Sequence, residues 1–232
     1  MAQSKTKRGM SFTGQLTVYD LPDVAAKEIV SLSNTKPAIA NALAHGLNTG
    51  DAIWVESESN EAINGYYLVD VSNADTFALI GLDGTDIGTV TDAKFATMEA
   101  HLFCDVTSMK VSKLKTKTSD ATTICDADPV TEVDKEAGSM SLSAFWMPDK
   151  PVQDLIDDLS DNLETIFFKY SPKQSNQIFG YQVKITSLDQ DGKSGEKWQL
   201  SIEATINGTI RKLNTNSKQN INSKQNTRRG VK

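Results

Sequence analysis

The chain has 232 residues, with 24 basic and 30 acidic side chains and a formal net charge of −6. That length fits one large or two modest domains, and 38% apolar residues supply a core for most, not all, of the chain. Two cysteines and two histidines exclude a disulfide scaffold and a four-cysteine metal site, and the acidic balance argues against gripping nucleic acid through its phosphates.

The N-terminus carries Lys5, Lys7 and Arg8, but residues 9–17 are polar and lack the apolar stretch of an export signal. Residues 11–18 read as a strand running into the turn Asp20-Leu21-Pro22-Asp23. Short strands are expected next at 29–32, 38–43, 52–55, 66–71 and 76–79. Asn48-Thr49-Gly50-Asp51, Asn64-Gly65 and Ser72-Asn73-Ala74-Asp75 are the turn sequences among them. Strands this short and closely spaced predict a small, self-contained β-barrel over residues 27–83. Residues 81–91, with Gly81, Gly84 and Gly88, read as a linker back to the main body.

Beyond the linker the dominant period is two. Met98, Ala100, Leu102, Cys104 and Val106 alternate with Glu99, His101, Phe103 and Asp105, and Met140, Leu142, Ala144 and Trp146 alternate with three serines and Phe145. Tyr181, Val183 and Ile185 form a third such ladder, and Trp198, Leu200, Ile202, Ala204 and Ile206 a fourth. Alternation of this kind marks half-buried strands of an antiparallel sheet. The last two are joined across a Gly-rich hairpin loop, residues 189–195. Residues 113–138 are long, polar and mixed in charge, with Asp126-Ala127-Asp128-Pro129 as a turn, and suit a loop that orders on assembly.

One segment has helical period. Val152, Leu155, Ile156, Leu159, Leu163 and Ile166 recur at steps of three and four. Asp149 is the expected N-cap and Pro151 sits in the first turn. Asp154, Asp157, Asp158, Asp161 and Glu164 form a solvated outer face. The end of the chain differs again: residues 214–232 carry +5, leaving −11 for the rest, and repeat Asn-Ser-Lys-Gln-Asn at 216–220 and 222–226. With Ile221 and Val231 as its only apolar residues, this tail is expected to be disordered.

Motifs that carry chemistry fail on inspection. Gly192-Lys193-Ser194 lacks the upstream glycine of a P-loop, Asp189-x-Asp191-Gly192 lacks the closing glutamate of a calcium loop, and the glycines of 81–88 lack Rossmann spacing. His45 is expected to make a structural hydrogen bond in a turn. His101 and Cys104 fall on opposite faces of one expected strand, so they form no dyad. Asn207-Gly208-Thr209 matches a glycosylation motif but reads as a turn. No catalytic, cofactor-binding or metal-binding residue is assigned, and no enzymatic role is expected. The longest apolar runs, such as residues 77–80, are strand-sized, so the expectation is a cytoplasmic product with reduced thiols and no membrane span.

Two stretches resemble known families. Ala44-His45-Gly46-Leu47 with Gly50-Asp51, then Asn64-Gly65-x-Tyr67, then Ala74-Asp75-Thr76-Phe77-x-Leu79, resemble a small β-barrel module of phage structural proteins. The same module is similar to the first catalytic-cysteine-half domain of ubiquitin-activating enzymes. Its residues are turn formers and core fillers, and the resemblance implies no catalytic role for them. Residues 96–213 with the first strand look like a major tail tube protein of long-tailed (siphovirus-type) phages. Phe103-Cys104-Asp105-Val106-Thr107-Ser108, Ser119-Asp120-Ala121-Thr122-Thr123-Ile124-Cys125-Asp126, the solitary acidic helix and the closing hairpin carry that likeness.

The resemblance implies a mainly β fold: a tail-tube-type β-sandwich or half-barrel with one flanking α-helix, formed by residues 1–26 and 84–213, with the small barrel of 27–83 inserted and 214–232 as a disordered basic tail. It implies a virion protein, assembled in the host cytoplasm, whose homo-hexameric rings stack into a tube. Its partners would be a tape measure protein and tail tip and terminator proteins, with genomic DNA passing through the lumen without specific binding. A strongly acidic body agrees with that last point, because like charge repels DNA. The alternative is a receptor- or carbohydrate-binding tail or adhesin module, with Trp54, Tyr66 and Tyr67 of the barrel as an aromatic platform. The tube of a contractile secretion machine would share the fold.

Overall fold

The computed structural model describes residues 13–20, 26–88, 90–113, 115–120 and 131–215. The expected Asp126–Pro129 turn and nearly all of the basic tail lie outside these residues. In chain order the elements begin with β1 (Gly14–Asp20), β2 (Lys27–Glu28), β3 (Ser31–Leu32), β4 (Ala38–Asn41), β5 (Ala52–Glu56), β6 (Gly65–Val71) and β7 (Thr76–Ile80). There follow β8 (Lys94–Thr97), β9 (Glu99–Leu102), β10 (Val106–Ser112), β11 (Lys115–Asp120), β12 (Thr131–Glu136) and β13 (Gly138–Phe145). The helix α1 (Pro151–Asp161) precedes β14 (Thr165–Pro172), β15 (Gln177–Asp191), β16 (Gln199–Ile206) and β17 (Arg211–Asn214). The fold is mainly β with one α-helix among the described residues, as the alternation and the single helical run predict.

Two compact units share the chain. The first holds residues 1–102, 169–180 and 211–232, the second 103–168 and 181–210.

In the first unit seven strands pair in the order β2-β8-β5-β6-β7-β4-β3. One extended segment closes this path on itself. Lys27 and Glu28 pair with β8, Ser31 and Leu32 pair with β4, and between them the Ile29 and Val30 amides donate to Ala93 O and Asn41 O. Sharing one segment between both ends removes the free edges a flat sheet would expose. The interior is filled by Phe77 and Phe95, whose rings meet edge to face with centroids 5.4 Å apart, and by Ile53, Val55, Ile63 and Val69. Small Ala38 and Ala40 lie on the inner face of β4 among these large neighbours.

The stretch read as a linker, residues 81–91, is part of this core. Leu82 and Val90 are buried and Ile87 packs against the same cluster. Its backbone is tied in by Ala38 N–H to Leu82 O and by Gly84 N–H to Thr35 O. Gly84 serves close approach. A Cβ on Gly84 would collide with the carbonyl oxygens of Ser33 and Thr35, the latter at 2.8 Å.

The same unit contains β1, which pairs with β9 from Thr17↔Leu102 to Asp20↔Glu99, and β17, which pairs with the Gln177–Gly180 start of β15. Tyr66 and Leu68 point away from the barrel interior yet are buried, so β6 has no solvent face. Its sequence, almost uninterrupted apolar and aromatic, reads as such a strand should.

In the second unit the order is β10-β13-β16-β15. Met140, Leu142 and Ala144 of β13 face the core beside Leu200, Ile202, Ala204 and Ile206 of β16 and Tyr181, Val183 and Ile185 of β15. The polar stretch expected to be a loop is instead a hairpin. Ser112 faces Ser139, and three residues further along both strands Lys115 faces Glu136. The β10–β13 register therefore runs straight on into β11–β12. Because β16 ends opposite Gly138, β11 and β12 form a two-stranded arm with no third strand among the described residues.

Two expectations need correction. The run from Met98 to Val106 is not one strand: β9 ends at Leu102, a turn holds Cys104 and Asp105, and β10 starts at Val106. Phe103 is buried and Leu102 is 48% exposed, the reverse of the predicted facing. A chain that leaves one strand pairing for another resets which side is inward, so a period counted across the change gives the wrong face.

The helix also stops short of Leu163 and Ile166. Leu163 adopts φ +57° and its N–H donates to Ser160 O, while Glu164 N–H donates to Leu159 O. These two bonds form a Schellman cap with leucine in the left-handed position usually given to glycine. Ile166, Phe167 and Phe168 then form a buried run in β14, as β-branched and aromatic residues favour. At the other end Pro151 opens the helix as expected, but the N-cap is Lys150, with no side-chain cap; Asp149 lies outside at φ +72°.

Candidate functional site

Three places gather polar side chains or leave backbone unpaired: the turns of the barrel, the helix-to-strand junction of the second unit, and the open strand edges.

In the barrel, His45 is 2% exposed and fully engaged. Leu47 N–H donates to its Nδ1 at 2.9 Å, which requires the proton on Nε2, and Nε2 lies 2.9 Å from Asn73 O. Its ring meets Phe77 edge to face at 5.0 Å. His45 is thus the structural histidine that its turn context predicts. Asp92 organises the loop after β5. Its carboxylate accepts from Ser57 Oγ at 2.6 Å, Ser59 Oγ at 2.5 Å, Glu58 N–H at 2.9 Å and Ser59 N–H at 2.8 Å. The hydroxyl of Ser57, then that of Ser59, hold the Asp92 carboxyl far below the usual range. Glu56, Ser57, Glu58, Asn64, Asp92 and Lys94 line a cavity of about 300 Å³ here. No cluster of metal-ligating side chains occurs among the described residues.

The aromatic platform expected of the binding-module reading is not formed. Tyr66 and Tyr67 are 5% and 4% exposed, and Tyr67 donates to Ile63 O at 3.0 Å. Arg211 lies over the Tyr67 ring at 5.2 Å, and Trp54 meets Tyr66 edge to face at 4.7 Å. These rings are spent on packing. Burial pushes the Tyr67 hydroxyl up, while Arg211 pulls it the other way. Lys169 Nζ donates to Gly50 O at 3.1 Å and sits over the Tyr19 ring at 5.0 Å, and burial lowers its pKa.

In the second unit one polar side chain does what no local pattern announces. Gln153 is 6% exposed on the inner face of α1. Its Nε2 donates to Phe145 O at 2.9 Å and its Oε1 accepts from Met147 N–H at 3.0 Å, closing the end of β13 onto the helix. Beside it Trp146 and Trp198 pack at 5.5 Å, and Lys197 Nζ lies 4.8 Å over the Phe145 ring. Trp198, expected in the core, is 48% exposed. The outer acids Asp154, Asp157, Asp158 and Asp161 are exposed, as a solvated face should be.

The strand edges are the remaining feature. β10 has β13 on one side and no neighbour on the other among the described residues; β9 likewise has only β1. β10 is seven residues long, with a register shift between Val106 and Ser108. A bulge there twists one end of an otherwise regular edge. His101 is half-buried on β9 and Cys104 is exposed in the following turn.

No protein-family model and no curated protein matches this sequence. Among solved structures, one similar chain comes from the tail of an empty gene transfer agent particle with C6 symmetry: 15% identity over 50% of this chain and 85% of that one, TM-score 0.37. Another comes from the virion of a native gene transfer agent particle: 16% identity over 51% of this chain and 88% of that one, TM-score 0.37.

Proposed function

We propose that this protein is a structural subunit of a phage-like tail, which assembles with copies of itself through its strand edges into stacked hexameric rings. The observation that carries this reading is the long β10–β13 hairpin, with one side of β10 unpaired among the described residues and the β11–β12 arm running past the end of its neighbours. A row of unpaired N–H and C=O groups is a template for another strand. A cyclic ring uses two different surfaces on each copy, and β10 and β9 offer two distinct edges. A tube domain interrupted by the barrel belongs to the same proposal, with the barrel on the tube's outside and extended by β8 from the expected residue 83 to Thr97. So do a tape measure protein and tip and terminator proteins as partners, with DNA passing unbound through a bore repelled by the −11 body.

The test is negative-stain electron microscopy and light scattering of the purified protein over a concentration series. Rings or tubes are expected at high concentration. Shortening residues 115–136 to a tight turn should abolish stacking while leaving the unfolding transition in place. A protein that stays monomeric at every concentration, or stacks equally well without the arm, refutes the reading.

A further inference from the structure

The dipeptide Asn-Gly occurs twice, at Asn64-Gly65 and Asn207-Gly208, and the fold treats the two differently. Both asparagines are exposed. The Asn64 carboxamide is held at both ends: its Oδ1 accepts from Ser57 N–H at 2.7 Å and its Nδ2 donates to Ser57 O at 3.2 Å. Gly65 behind it is buried and opens β6 opposite Val55.

Asn207 follows the last residue of β16. Its backbone N–H donates to Gln182 O at 2.8 Å, which anchors the upstream side of the turn. Gly208 itself is uncrowded. Gly208 has φ +79°, nothing lies within 4 Å of where its Cβ would be, and its N–H meets no backbone acceptor among the described residues. No hydrogen bond holds the Asn207 carboxamide among those residues either.

We propose that Asn207-Gly208 is a site of spontaneous deamidation and isoaspartate formation, and that Asn64-Gly65 is protected from it. The Gly208 backbone nitrogen, on losing its proton, attacks Cγ of Asn207. The new C–N bond closes a five-membered succinimide and the carboxamide nitrogen leaves as ammonia. Water then opens the ring at either carbonyl, giving aspartate or isoaspartate; water is the only co-reactant and nothing is oxidised or reduced. The reaction needs the side chain and the next amide free to meet, and a glycine after the asparagine imposes no Cβ on that approach. At Asn64 both bonds to Ser57 must break first.

The position matters for the molecule. Ile206 and Gly208, on either side of Asn207, help line a cleft of about 360 Å³ with Lys113 and Gly138, the residues at the root of the β11–β12 arm. Conversion adds a negative charge there, and the isoaspartate form lengthens the main chain by one methylene just beyond the Ile206↔Gly138 pair.

Full-length protein aged in mildly alkaline buffer, sampled over time and mapped by peptide mass spectrometry with isoaspartate-methyltransferase labelling, tests this. Asn207 should convert at least about tenfold faster than Asn64, the factor that about one retained hydrogen bond adds to a barrier. In urea the two rates should converge. Asn207→Gln should remove the label from that peptide without moving the unfolding midpoint. Equal rates in the folded protein, or an intact Asn207 over a period in which the urea-unfolded chain converts, would overturn the assignment.

Discussion

Gln153 offers the sharpest test of how the second unit is held together. Gln153→Leu keeps helix propensity and side-chain size but deletes both bonds, leaving Phe145 O and Met147 N–H without their partner. Both bonds are partly buried, so water reaches these groups in part. Each is therefore taken near the ordinary net value of about 0.5–1.5 kcal/mol, or about 1–3 kcal/mol for the pair. Gln153→Glu separates the two contributions. A carboxylate still accepts from Met147 N–H but offers no donor to Phe145 O, and it adds charge beside Asp154 and Asp157. Near neutral pH it should cost at least as much as leucine. In mild acid, once protonated, it should recover part of the loss, because its O–H donates to Phe145 O. Guanidinium unfolding followed by tryptophan fluorescence suits the assay, since Trp146 lies between the two bonded backbone groups. A midpoint for Gln153→Leu within error of the parent, or a Glu variant indifferent to pH, would refute the claim that these bonds fix the helix.

Phe77→Ala empties the barrel centre, where Phe77 is fully buried and touches Phe95 and His45 edge to face; a loss of about 3–5 kcal/mol is expected by chemical denaturation. Gly84→Ala, pressed against two backbone carbonyls, should cost about 1–3 kcal/mol, far more than an alanine normally costs at an exposed site. The Lys36 ammonium, then Thr85, pull the Asp83 carboxyl down to about 2, and Asp92 is lowered in the same direction by Ser57 and Ser59. A lowered folded-state value means stability that is present above about pH 4 and lost as pH falls toward 2. Asp83→Asn should flatten part of that acid limb in a pH series of thermal melts.

Much of this fold is legible in the letters, and the failures share a cause. The ladders at 140–144, 181–185 and 200–206 face as their period requires, because each lies within one strand of one sheet. The 98–106 ladder fails because its period spans two pairings. The helix stops early because Leu163 takes a left-handed backbone that its own side chain does not advertise. The glycines of 81–91 read as a linker, but Leu82, Ile87 and Val90 pack into the barrel core and Gly84 sits against backbone carbonyls, contacts that no local pattern shows. Asp92 and Gln153 leave no local trace. The partners of Asp92 lie 33 to 35 residues away, and a glutamine on the apolar face of a helix looks like an interruption until its two backbone partners are known.

The β11–β12 arm brings these strands to one physical question. A two-stranded ribbon alone is marginal in water. This one continues, without a register slip, a pairing anchored by the buried side of β13 against β16, so it draws its alignment from a ladder that is already formed. Its sequence has almost no apolar residue to hold it otherwise. The backbone register continues from Lys115↔Glu136 to Asp120↔Thr131 without a shift. A polar ribbon aligned in this way keeps its backbone available without presenting the apolar surface that drives indiscriminate aggregation. The barrel handles the same difficulty in the opposite way, by letting one segment pair at both ends of its path. Among the described residues the chain thus closes the edges of its barrel and leaves those of β9, β10 and the arm open. That asymmetry is what the proposed self-assembly requires.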